Sequence, residues 1–99
     1  MLFRSADSLL ERVYCYPNPV ADGTRVHLRF FLREAASVDV EVYDGLGALV
    51  ERLARVGHVG ENDIAWDVDA YASGVYLLKL RAKTASRSAS ALVKMAVSQ

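Results

Sequence analysis

The stretch Tyr14-Cys15-Tyr16-Pro17-Asn18-Pro19-Val20-Ala21-Asp22-Gly23-Thr24 sets two prolines, one asparagine apart, before a long alternation of apolar and polar residues. Each proline fixes φ and lacks a backbone N–H, and each pushes the residue before it, Tyr16 or Asn18, towards extended geometry. Residues i and i+2 of an extended chain aim their N–H groups to the same side, so donors are missing along one side. Such a segment suits a sheet edge, or the place where a chain leaves one sheet for another, and not a central strand. Asp22-Gly23 then supplies a turn.

Downstream of Thr24, Val26, Leu28, Phe30 and Leu32 fall on one face, and Arg25, His27, Arg29 and Arg33 fall on the other. Period two over this length predicts a half-buried strand, with Phe31 as the exception on the polar face. Val38, Val40 and Val42 alternate with Asp39, Glu41 and Tyr43 in a second strand of the same kind. Asp44-Gly45-Leu46-Gly47 carries the glycines that tight hairpins need for φ > 0. The next segment, Ala48 to Val56, reads as the returning strand, although Leu46, Leu49, Val50, Leu53 and Val56 fit helical spacing nearly as well.

Further strands are expected in three places. One lies in the frame Asn62 to Asp67, with Ile64 and Trp66 spaced by two. Another runs from Gly74 through Val75 to Lys83, with Tyr76, Leu78, Leu80 and Ala82 on one face. The last is Leu92 to Val97, with Val93, Met95 and Val97 inward and Lys94 outward. With Val13 to Tyr16 these make seven short strands at regular spacing. No βαβ alternation is present, so the pattern predicts an all-β, mostly antiparallel sandwich or small barrel, closed over Leu28, Val40, Trp66 and Leu78. Residues 1–11 are expected to be a linker or a short helix capped by Ser8 and carrying Leu9 and Leu10. The domain proper is expected to span 12–99.

Ninety-nine residues make one domain, and an apolar fraction of 53% is enough for a core. Twelve basic and twelve acidic side chains cancel, which removes the electrostatic case for nucleic acid or an anionic membrane as partner. The single cysteine, Cys15, excludes an internal disulfide and points mildly to a reducing compartment. Arg4, Asp7 and Glu11 interrupt the N-terminal apolar positions, so these residues do not read as a signal peptide. Taken literally the chain is cytoplasmic; the alternative is a piece of a longer secreted protein.

Residues that carry chemistry are sparse. His27 falls on the polar face of a strand and His58 in a glycine turn, with no ligand spacing that zinc requires. Cys15, between Tyr14 and Tyr16, reads as a small buried hydrophobe. Asp63, Asp67 and Asp69 border a loop and are either solvated carboxylates or a weak Ca²⁺ site. Asp44-Gly45-Leu46-Gly47 lies between strands and is not a phosphate cradle. Nothing assembles base, nucleophile and oxyanion donor, so a catalyst is the least favoured class. No catalytic residue, metal, cofactor or small-molecule substrate is expected.

The landmarks matter most in their order: Tyr16-Pro17-Asn18-Pro19, then Tyr43-Asp44 with Gly47 and Val50, then Gly74-Val75-Tyr76, then Lys94-Met95 with Val97. Together they resemble the type A C-terminal sorting domain of proteins exported by the type IX secretion system, across about Tyr14 to Val97. They are similar, too, to the immunoglobulin-like domain of flagellar hook-capping proteins. The resemblance implies an immunoglobulin-like sandwich that is not a catalyst. It implies a segment at the end of a longer exported polypeptide, following a cargo domain and read by the outer-membrane secretion machinery of Bacteroidetes-like bacteria. The location it implies is the cell surface or the medium, reached through the periplasm. The chain ends Ala-Val-Ser-Gln where members usually finish on a basic residue. The alternative is an accessory adhesion, carbohydrate-binding or spacer module of a surface protein, which would use an aromatic platform such as Tyr71 with Phe31, or an apolar patch joining Phe31 and Leu77.

Overall fold

A computed structural model describes residues 8–21 and 25–99. The Asp22-Gly23 turn, Thr24 and the first seven residues of the expected N-terminal extension lie outside the described residues. Among the described residues eight strands follow one another: β1 (Leu10–Tyr16), β2 (Val20–Ala21), β3 (Arg25–Leu32), β4 (Ala36–Tyr43), β5 (Leu49–Gly57), β6 (Gly60–Asp67), β7 (Gly74–Lys83) and β8 (Ser88–Ser98). They form two sheets, ordered β1-β3-β6 and β2-β8-β7-β4-β5. All pairings are antiparallel except β2 with β8, which run parallel through Val20↔Val97 and Ala21↔Ser98. The seven expected strands are present, and the eighth is the two-residue β2.

The two sheets close face to face as an immunoglobulin-like sandwich. Val26, Leu28, Phe30 and Leu32 of β3 meet Val38, Val40 and Val42 of β4 and Leu78 and Leu80 of β7 in one core, with Trp66 and Met95 also buried. Each large side chain withdrawn from water there contributes about 1.5–3 kcal/mol. The chain changes sheets at Pro17-Asn18-Pro19: β1 belongs to the three-stranded sheet and β2 to the five-stranded one. The missing donors fall where ladder bonding is interrupted, as the sequence predicts. The Tyr16–Pro17 and Asn18–Pro19 peptide bonds are both cis.

One difference from the sequence expectation, and one ambiguity within it, have physical causes. First, β1 begins at Leu10, and both Leu9 and Leu10 are buried in the core rather than carried on a capped helix. The Leu9 carbonyl accepts from the Arg33 amide at 3.0 Å. The β1–β3 register shifts between Glu11 and Tyr14, where Arg12 has φ of +52°. This irregularity breaks the alternation, so period two is lost upstream of Val13. Arg12 in turn lays its guanidinium over the Phe31 ring, 4.6 Å from the centroid, which explains an aromatic residue on the polar face of β3.

Second, β5 is a strand, but an edge strand with Leu49, Val50 and Val56 largely in water. A five-stranded sheet is wider than its three-stranded partner, and β5 lies at its margin. A strand with little buried face is under little pressure to alternate, which is why its spacing also fits a helix.

Candidate functional site

Landmark residues from the β4–β5 hairpin, the start of β7 and β8 meet at one end of the five-stranded sheet, with Asn18 on the far edge of β8, whereas Tyr16 lies on the outer face of the three-stranded sheet. The β4–β5 hairpin supplies the first group. Asp44 and Ala48 close it, with the Asp44 amide donating to the Ala48 carbonyl at 2.9 Å. The Asp44 carboxylate accepts from the amides of Leu46 at 2.9 Å and Ala48 at 3.0 Å. Gly47 takes φ of +86°, the left-handed position that a three-residue hairpin loop assigns to glycine. Tyr43 enters this turn with its hydroxyl donating to Glu41 at 2.8 Å. That bond, followed by desolvation, raises the Tyr43 phenol above its ordinary value.

The start of β7 supplies the second group. Gly74 pairs with Val97, Val75 with Ala96 and Tyr76 with Met95. Tyr76 points inward, and its hydroxyl donates to the Ala72 carbonyl at 2.6 Å, a corner that ties the preceding loop to the strand. Val75 points outward and is exposed. The third group is on β8, where Met95 is fully buried while Lys94 is exposed. Among the described residues Lys94 makes no ion pair. Cross-strand pairing aligns Lys94 with Leu77, Leu77 with Tyr43, and Tyr43 with Leu49 in one row on the outer face. Tyr43, Asp44, Gly47, Val75, Tyr76 and Lys94, with Gly45 and Leu77, line an open depression of about 510 Å³.

The fourth group fixes β8 from its other edge. Asn18 Nδ2 donates to the Lys94 carbonyl at 3.0 Å, and Asn18 Oδ1 accepts from the Ala96 amide at 2.9 Å. The prolines on either side have no N–H to offer β8, so the side-chain amide supplies both the donor and the acceptor of a strand residue. The Cys15 thiol, 3.5 Å from the same carbonyl, is buried, and burial pushes it above its ordinary value. Cys15 is therefore a packing residue, not a nucleophile.

On the outer face of the other sheet, Asp63 accepts from the Tyr16 hydroxyl at 3.0 Å and Arg29 Nε at 3.2 Å, and lies 2.9 Å from His27 Nδ1. The Tyr16 and His27 rings stack at 4.8 Å. Partial burial works to raise the Asp63 carboxyl, but hydrogen bonds from His27, Arg29 and Tyr16 outweigh it and hold the group below its ordinary value. Asp63 is thus engaged within the sheet, and Asp67 sits 3.7 Å from Arg25. Among the described residues no group of three or more His, Cys, Asp or Glu could hold a metal ion.

The aromatic residues do not make one platform. Phe31 lies under Arg12 on β3, whereas Tyr71 packs against the core in the β6–β7 loop beside Tyr76. Phe31 and Leu77 project from the outer faces of different sheets. Leu77 and Gly45 complete the depression without being landmark positions. The signal for Leu77 is its outward place in the alternation of β7.

Residues 14–94 match the family model described as secretion system C-terminal sorting domain. No curated protein matches. Among solved structures, the chain is similar to dimeric latent PorU from Porphyromonas gingivalis, with a TM-score of 0.71 and 26% identity over 86% of this chain and 9% of that one. It is similar in fold to Parabacteroides merdae β-glucuronidase, with a TM-score of 0.59 and 17% identity over 90% of this chain and 13% of the enzyme. The chain thus spans a small fraction of each of those proteins. It belongs to the secretion system C-terminal sorting domain family, which marks proteins for type IX export through the periplasm to the cell surface or the medium.

Proposed function

We propose that the depression between the β4–β5 hairpin and β8 is the surface that the outer-membrane export machinery reads, on a domain that follows its cargo in the same polypeptide and performs no catalysis. The observation that carries this reading is the convergence of six landmark residues from three parts of the chain, Tyr43, Asp44, Gly47, Val75, Tyr76 and Lys94, on that depression. Lys94 offers a cation beside the exposed apolar side chains of Val75 and Leu77, a combination suited to an extended acidic–apolar segment of a receptor. Asn18, set between Pro17 and Pro19, acts indirectly by holding β8 in register, and Tyr16 ties the preceding strand to Asp63. Asp44 and Gly47 shape the hairpin, and Gly74, Tyr76 and Met95 anchor the strands beneath. No nucleic acid, small-molecule substrate, metal or cofactor has a part in it.

The test places residues 1–99 after a reporter that carries a signal peptide, in a type IX-competent host. The unaltered domain delivers the reporter to the surface or medium. Lys94→Glu and Leu77→Asp leave it in the periplasm, while Lys83→Glu, at the far end of β7, exports normally. Circular dichroism of the purified domains confirms that each variant is folded. Periplasmic retention of the unaltered fusion would overturn sorting by this segment. Normal export of both depression variants would overturn the assignment of the surface.

A further inference from the structure

The outer edge of β5 is unpaired among the described residues: β5 bonds to β4 on one side and ends the five-stranded sheet on the other. Natural edges are usually blunted by brevity, proline or charged side chains; β5 runs nine residues without proline, and of its charged residues Glu51 and Arg55 are ones that a second copy can match, while Arg52 is paired with Glu41. We propose that this edge pairs with the same edge of a second copy of the chain, antiparallel about Leu53.

The sequence Val50-Glu51-Arg52-Leu53-Ala54-Arg55-Val56 is complementary to itself in that register. Leu53 faces Leu53, Glu51 faces Arg55, Arg52 faces Ala54 and Val50 faces Val56. Two-fold symmetry makes each unlike contact twice. The charges fit the same register. Arg55 makes no ion pair among the described residues, and its guanidinium reaches only the Ala54 carbonyl at 2.8 Å. Glu51 accepts from Tyr71 through Oε1, and Oε2 is left for Arg55 of the second copy. Arg52, which faces alanine, is already neutralised by Glu41 at 2.9 Å. Val50 and Val56, 45% and 88% exposed, gain a cover. Glu51, Leu53 and Arg55 oppose Val42, Val40 and Val38 of β4, so the ion pairs and the leucine pair share one face while the valines cover the other. This pairing is separate from the depression at β8 and does not depend on its being read by the export machinery.

Sedimentation of the full chain over a concentration series tests the pairing. The unaltered chain is expected to form a dimer whose fraction rises with concentration. Arg55→Glu sets a second carboxylate against Glu51 in both symmetry-related contacts and weakens association by roughly tenfold or more. Glu51→Arg does the same with the opposite sign. An equimolar mixture of the two variants restores attraction in both contacts and gives a heterodimer. Where Glu51→Arg does not fold because Tyr71 loses its acceptor, Arg55→Glu alone decides, since Arg55 is exposed and its guanidinium bonds, among the described residues, only to the neighbouring Ala54 carbonyl. A chain that stays monomeric at its highest soluble concentration, a dimer indifferent to Arg55→Glu, or folded variants that do not recombine would each overturn the proposal.

Discussion

Asn18 grips Lys94 by its backbone: Nδ2 donates to the Lys94 carbonyl at 3.0 Å across 76 residues of sequence, while Oδ1 takes the Ala96 amide. The side chain occupies the edge of β8 just before β2 begins to pair with it at Val97. Loss of the asparagine therefore frees a strand edge beside the exposed lysine.

Asn18→Ala is expected to cost about 1–2 kcal/mol, the sum of two modest hydrogen bonds at a solvent-facing site. The loss is local, so amide exchange at Ala96 should accelerate well before that of β7 residues such as Leu78. Urea denaturation gives the first quantity and hydrogen exchange the second. Equal acceleration throughout β7 and β8 would contradict a local role for Asn18.

Much of the fold is legible because most strands have one buried face. Val26 to Leu32, Val38 to Val42 and Tyr76 to Ala82 alternate since every second side chain must leave water. The sheet crossing is legible for a different reason: two prolines cannot donate, wherever the partner lies. The clamp by Asn18 is not legible, since its partner strand is remote and nothing near Asn18 encodes it. Nor is the depression: landmark order names its residues, but only the β4–β7–β8 register brings Tyr43, Leu77 and Lys94 into one row. β5 is ambiguous because only Leu53 and Gly57 of its residues pack inward, too few to impose a period.

Gly57, the last residue of β5, is fixed by close packing. A Cβ there would stand 2.5 Å from Leu32 Cδ1 and 3.1 Å from Val38 Cγ2. Gly57→Ala must displace core side chains that are fully buried, at a cost of about 1–3 kcal/mol. Shortening the obstacle with Leu32→Val should return part of that loss in the double variant, a non-additivity that denaturation of the full cycle measures.

Trp66, the single tryptophan, donates its Nε1–H to the Tyr71 hydroxyl at 3.3 Å, and that hydroxyl donates to Glu51. Burial, then the bond to Glu51, raises the Tyr71 phenol well above its ordinary value, so it stays a donor throughout the folded range. Tyr71→Phe keeps the ring but leaves the buried indole N–H without its acceptor, costing about 1–3 kcal/mol. Trp66→Ala, which also opens a cavity, costs about 3–5 kcal/mol. Thermal denaturation followed by far-ultraviolet circular dichroism ranks the two variants, and Trp66 fluorescence reports the altered surroundings in the first.

Asp63 gives the fold a defined acid limit. Burial opposes ionisation, but bonds from His27, Arg29 and Tyr16 prevail, so the folded carboxyl titrates below its ordinary value of 3.8. A carboxyl lowered in the folded state stabilises it fully above the unfolded pKa, and the contribution fades as pH falls through the folded value. Stability measured by urea should thus be level from about pH 7 to about pH 5 as far as Asp63 is concerned, then decline below about pH 4. Asp63→Asn keeps the shape, lowers stability at neutral pH and flattens the decline, because the amide has no proton to gain. The side chain is one-third exposed, and the effect is correspondingly moderated by solvent. An acid limb of equal steepness in the parent and in Asp63→Asn would assign the decline to other carboxylates.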